Sequence, residues 1–125
     1  MRLNDEPADR LRAVFEAHDL AGMLALMDEH VVWRGLDLPR QATALCHDRA
    51  EVAEVYRSAI ARGRDGEPVI LRVAGDSVVV DPRPVPARED VALHQVFTFR
   101  GSSIVLIQDF PDRASALSAV EAIPE

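Results

Sequence analysis

Cysteine occurs once in this chain, at position 46, so no internal disulfide can form, which suits a reducing compartment. No run of about 18 apolar residues is present, which argues against a membrane-spanning helix. The opening MRLNDEPADRLR has none of the apolar core of a secretion signal. A soluble, cytoplasmic protein with no membrane partner is therefore expected. A basic excess is also missing: 21 acidic residues against 14 basic ones give a net charge of -7. The densest basic spot, ARGRDGE, is interrupted by Asp65 and Glu67, so a phosphate backbone would be repelled and no nucleic-acid partner is expected. There is no glycine-rich phosphate loop, nucleophile elbow or DNA-reading helix. His18, His30 and His47 stand far apart, without H-x-x-x-H or Cys/His spacing, so neither a metal nor a cofactor is expected.

What is present suits one domain over residues 1–125, long enough to bury a core unaided. Asp5, Pro7 and the stripe Leu11, Val14, Phe15, His18 predict a helix over 6–18. Asp19 is placed to cap a second helix with the stripe Leu20, Met23, Leu24, Met27. HVVWRG reads as a strand followed by the loop GLDLPRQ, and Asp48 with Glu51 resembles a capping box opening a helix over 49–62. VILRVAG and SVVVD flank a Gly75-Asp76 turn, a hairpin signal. PRPVPARED has too few N–H donors for a central strand. VALHQVFTFR and SIVLIQDF form the last hairpin, and Asp112 is placed to cap a closing helix, RASALSAVEA. The order of elements is that of an α+β domain.

Gly101-Ser102 fits a two-residue type II′ turn, which pairs Arg100 with Ser103. An uninterrupted ladder then places His94 opposite Asp109, Val96 opposite Ile107 and Thr98 opposite Val105 on one face. Gln95, Phe97, Phe99, Ile104, Leu106 and Gln108 occupy the other face. A three-residue loop would exchange the faces. Both faces are mostly apolar, and helices from a short chain cover one side of such a sheet. The phenylalanine face is therefore expected to join a second copy in a homodimer.

AHDLAGMLALMDEHVVWRG, CHDRAEV and FTFRGSSIVLIQDFPDR, in that order, resemble the SnoaL-like branch of the nuclear transport factor 2-like superfamily. The likeness spans nearly the whole chain apart from the proline-rich loop. It implies a cone, cystatin-like in fold: a curved antiparallel sheet wrapped around three N-terminal helices, with an internal pocket at the open end. It also implies dimers through the outer face of the sheet. The superfamily hosts epoxide hydrolases, isomerases, dehydratases and cyclases, so membership alone does not name a reaction. Asp109 matches the pocket aspartate that limonene epoxide hydrolase-like members use as a catalytic acid. Their partner Arg-x-Asp would fall near Ser77 to Asp81, where this chain reads SVVVD without an arginine.

Opposed hairpin residues sit with Cβ atoms about 4.5–5.5 Å apart, so a His94–Asp109 acid/base pair is the catalytic candidate. Trp33, Tyr56, Val96, Thr98, Val105 and Ile107 are expected to line the pocket, with the two aromatic side chains able to stack on a planar ligand. The expected function is binding of a small, largely apolar molecule in the cone. The alternatives are a cofactor-free isomerase, dehydratase or cyclase using the His94–Asp109 pair, and a dimerisation domain whose cavity is filled.

Overall fold

The structure, a computed structural model, describes residues 5–35, 43–61, 68–81, 94–110 and 112–121. Helix α1 spans Asp5–Glu16, α2 Leu20–Ala25, α3 Arg49–Ala61 and α4 Arg113–Glu121. The strands are β1 Met27–Gly35, β2 Thr43–Cys46, β3 Val69–Ala74, β4 Ser77–Asp81, β5 His94–Arg100 and β6 Ser103–Phe110. They form one six-stranded sheet in the order β2-β1-β6-β5-β4-β3. Residues 36–42 and 82–93, which hold most of GLDLPRQ and the proline-rich stretch, lie outside the described residues.

The helix starts follow from their caps. Asp19 Oδ1 accepts from Gly22 N at 2.9 Å, Asp48 Oδ1 from Glu51 N at 2.9 Å, and Asp112 Oδ1 from Ser115 N at 2.7 Å. The Glu51 carboxylate reaches back one residue further than a capping box requires and accepts from His47 N at 2.7 Å. Helix α1 stops two residues before the expected His18. There His18 takes a left-handed φ of 51°, and Asp19 N bonds back to Val14 O at 3.0 Å, the six-residue closure common at helix C-termini. Met27 is not the last member of the α2 stripe but the first residue of β1, and is buried there. Strand β2 was not expected from the sequence.

Leu11, Phe15, Met27, Val31, Trp33, Cys46, Val52, Val78, Val80, Phe97, Phe99, Ile104 and Ile107 form one core between α1–α3 and the inner face of the sheet. Phe15 and Phe97 meet edge-to-face, with ring centroids 6.2 Å apart. A smaller cluster lies on the outer face, where Ala116 and Val120 of α4 pack against Val79 and Val96. Helix α4 thus covers part of the side expected to await a partner.

Two sequence expectations about the sheet are corrected. It is not wholly antiparallel: β6 runs parallel to β1, with Val32 opposite Leu106 and Trp33 opposite Ile107. The last hairpin also carries a bulge. The turn has the expected form, with Gly101 at φ 64° and Arg100 opposite Ser103, and Phe99 pairs with Ile104. Thr98 then pairs with Leu106, leaving Val105 as an extra residue, so every later partner shifts by one. Phe97 faces Ile107, Gln95 faces Asp109 and His94 faces Phe110. Gln95, Phe97, Phe99 and Ile104, expected at a dimer interface, point inward instead, while Val96 and Thr98, expected in the pocket, point outward. Leu106 and Gln108 do lie on the outer face, Ile107 lies on the inner one, and Val105 is the bulge residue. His94 and Asp109 stand on opposite sides of the sheet, so the expected pair does not form.

Candidate functional site

Near the end of β6, Asp109 presents its carboxyl group on the inner face of the sheet, opposite Gln95. Its strand lies between β1 and β5, and each neighbour supplies a donor to it. Gln95 stands directly opposite and donates from Nε2 to Asp109 Oδ1 at 3.0 Å. Trp33 pairs with Ile107, and its indole leans along the strand to donate from Nε1 to the same Oδ1 at 3.0 Å. Burial raises the Asp109 pKa above the ordinary carboxylate range, and the bonds from Gln95 and Trp33 act in the opposite sense without cancelling it.

Tyr56 of α3 lies over Trp33, with ring centroids 5.4 Å apart and planes tilted by 48°. Its hydroxyl is buried and has no hydrogen-bond partner. Burial, then the nearby charge of Asp109, pushes the phenol pKa well above its ordinary value, so Tyr56 remains a neutral donor. Cys46, which pairs with Trp33 across β1 and β2, is buried beside them. Burial and the carboxylates of Glu51, Asp48 and Asp109 push its thiol pKa up, which makes it a poor nucleophile. Trp33, Cys46, Tyr56, Gln95 and Asp109 therefore converge from five elements.

The fourteen basic residues of the chain are all arginine, and every arginine among the described residues is exposed. A carboxyl group held by two neutral donors on one oxygen, with its pKa raised, can anchor a polar atom or exchange a proton at Oδ2. The sequence located Asp109, Trp33, Tyr56 and Ile107 on this inner side, but it missed Gln95. Its spacing groups Gln95 with Phe97, but that face reads as the outer one until the bulge at Val105 is known.

His94 points to the opposite face of the sheet from this group. Its Nδ1 is buried without a partner. Its neighbour is Asp112 at the start of α4, whose carboxyl is held below the ordinary range by the Ser115 backbone and side chain, with a lesser contribution from His94. An open groove of about 420 Å³ lies between α2, β1 and α3, lined by Leu24, Glu29, His30, Asp48, Arg49 and Arg57 among others. It shares no lining residue with the Asp109 cluster. Among the described residues, no three His, Cys, Asp or Glu side chains are grouped to hold a metal ion, and no helix is long and apolar enough to cross a membrane.

The fold recurs in solved structures. An NTF2-like protein from Burkholderia thailandensis is 21% identical, with 100% of each chain covered and a TM-score of 0.65. A SnoaL-like protein of unknown function from the same species is 18% identical, covering 86% of this chain and 93% of that one, with a TM-score of 0.65. TerC, co-crystallized with polyporic acid, is 18% identical over 97% of this chain and 100% of its own, with a TM-score of 0.58. At these identities the likeness is one of fold. No curated protein matches the sequence. The family model of the SnoaL-like domain, however, matches residues 8–107. The chain belongs to the SnoaL-like family and has its NTF2-like, α+β fold.

Proposed function

We propose that the protein binds a small, largely apolar molecule on the inner side of its sheet, with the Asp109 carboxyl as the polar anchor. The observation that carries this reading is the carboxyl itself, half-buried against an apolar core and, among the described residues, held by the neutral donors Trp33 and Gln95. An ionisable group in such a place lowers stability when charged, and proteins keep such groups where a site needs them. The aromatic wall of Trp33 and Tyr56 offers a planar ligand a stacking surface. TerC, of the same fold, was co-crystallized with polyporic acid.

Calorimetric titration with a panel of small aromatic and alicyclic compounds tests the reading. Saturable binding that weakens on Trp33→Ala is the expected result; a panel that gives no saturable heat ends the proposal. A second reading, proton-transfer catalysis of an isomerase, dehydratase or cyclase type, is favoured by the raised pKa of Asp109 acting alone. It requires turnover of an enone, ketosteroid or epoxide that Asp109→Asn abolishes while affinity survives.

The reading extends to a homodimer. Val32 and Leu106, adjacent in register, are half-buried on the outer face of β1 and β6 beside the half-buried Thr98. This strip takes the place of the phenylalanine face as the surface a second copy covers.

A further inference from the structure

We infer that the open groove between α2, β1 and α3 is a second binding site, which takes a small aliphatic zwitterion of the α-amino-acid class. The inference is independent of the Asp109 cluster, with which the groove shares no lining residue.

The groove forms where β1 departs from a regular ladder. Met27 pairs with Ile104 and Val32 with Leu106, so five steps along β1 match two along β6. This irregular stretch leaves Glu29 and His30 exposed while Val31 beside them is buried. The backbone there is pinned, with His30 N donating to Asp28 Oδ1 at 2.8 Å. From α3, Arg49, Ala53 and Arg57 recur every fourth residue and so lie along one face of the helix. Ala50 and Ala53 are too short to fill the space beside the arginines, and with Leu24 of α2 they give the groove an apolar lining. Its volume of about 420 Å³ suits a small molecule.

The groove holds charges of both signs that do not neutralise one another. Glu29 and Asp48 are negative, Arg49 and Arg57 positive. Arg57 Nη1 turns to Glu54, outside the lining, at 3.0 Å, and Arg49 Nη1 is fixed to the Met27 carbonyl at 3.4 Å. Asp48 Oδ1 caps α3. Among the described residues the Glu29 carboxylate has no hydrogen bond and no ion pair. A lone anion in this space would meet two carboxylates, and a lone cation two guanidinium groups. A guest that carries both signs meets a complement for each. Its carboxylate accepts from the arginines of α3, its ammonium donates to Glu29, and its aliphatic part lies on Leu24, Ala50 and Ala53.

Three probes with one carbon skeleton test this in amide NMR titrations: leucine, isocaproate, which lacks the ammonium, and isoamylamine, which lacks the carboxylate. Leucine should give saturable shifts at Glu29, His30 and along Arg49–Arg57, and leave the Trp33 indole N–H, bonded to Asp109, unmoved. The two singly charged probes should each bind about threefold to fivefold more weakly, the worth of one exposed charge pair. Glu29→Gln should weaken leucine by a similar factor without weakening isocaproate; Arg57→Gln should do so without weakening isoamylamine. Both replaced side chains are exposed, so the fold survives either change. The absence of saturable shifts with leucine overturns the inference, as do shifts centred on Trp33, which would assign leucine to the inner cluster. Isocaproate or isoamylamine binding as tightly as leucine overturns the zwitterion class and leaves a plain ion site.

Discussion

The two faces of the β5–β6 hairpin have similar compositions and different fates. Inward lie Gln95 with Asp109, Phe97 with Ile107, and Phe99 with Ile104; outward lie His94 with Phe110, Val96 with Gln108, and Thr98 with Leu106. Each face mixes apolar side chains with a polar pair or single polar residues, so hydropathy does not tell inside from outside. What separates them is the cover: three helices close over the inner set, whereas among the described residues α4 alone reaches the outer set and leaves Thr98 and Leu106 half-buried. The polar groups differ accordingly. Asp109 gains two oriented donors in a half-buried setting, while His94 lies on the other face, near the exposed Asp112 that caps α4.

The strongest way to break the comparison is Phe97→Ala. Phe97 is 1% exposed and meets Phe15 edge-to-face, so its loss should cost about 3–5 kcal/mol in denaturant unfolding. A cost as small as that of a Thr98 substitution would mean that the faces have been assigned the wrong way round. Tyr56→Phe comes next. It removes a buried hydroxyl that has no partner, and should raise the ligand-free protein's stability by up to about 1–3 kcal/mol.

Asp109→Asn should also stabilise, and its effect depends on pH. The folded pKa lies above the unfolded value, so the folded state holds the extra proton between the two. Stability is therefore lost as pH rises through that interval. The gain from the variant is largest above the folded pKa and fades as pH falls below the ordinary carboxylate range; unfolding curves measured across acid and neutral pH check the sign. The smallest effect on the fold belongs to Leu106→Asp on the outer strip. It should change monomer stability by roughly 0.5 kcal/mol or less and still abolish self-association in sedimentation if a second copy covers that strip.

Much of the fold was legible in the sequence because its signals are local. Asp19, Asp48 and Asp112 each sit three residues before the backbone N–H they cap, and Gly75 and Gly101 occupy the turn positions that need a positive φ. The face assignment was not legible. Ile104, Val105, Leu106 and Ile107 are four aliphatic residues in a row, and no polar residue marks which of them is surplus to the ladder. The bulge at Val105 thus exchanged the partners of His94 and Gln95 without leaving a trace in the hydropathy pattern. The parallel neighbourhood of β1 and β6 joins residues 76 positions apart. Trp33 and Asp109 were each expected at the site, but their hydrogen bond follows from that topology rather than from any spacing.

The indole bonded to Asp109 belongs to the only tryptophan in the chain. Its ultraviolet emission is consequently free of background from any other indole, and the fluorophore's own N–H is tied to the group whose proton matters. Discharging that carboxyl, or wedging a molecule between the ring and its tyrosine neighbour, alters the colour and brightness of the emitted light. Evolution has left the protein with a built-in optical gauge of its most sensitive spot, readable without any label.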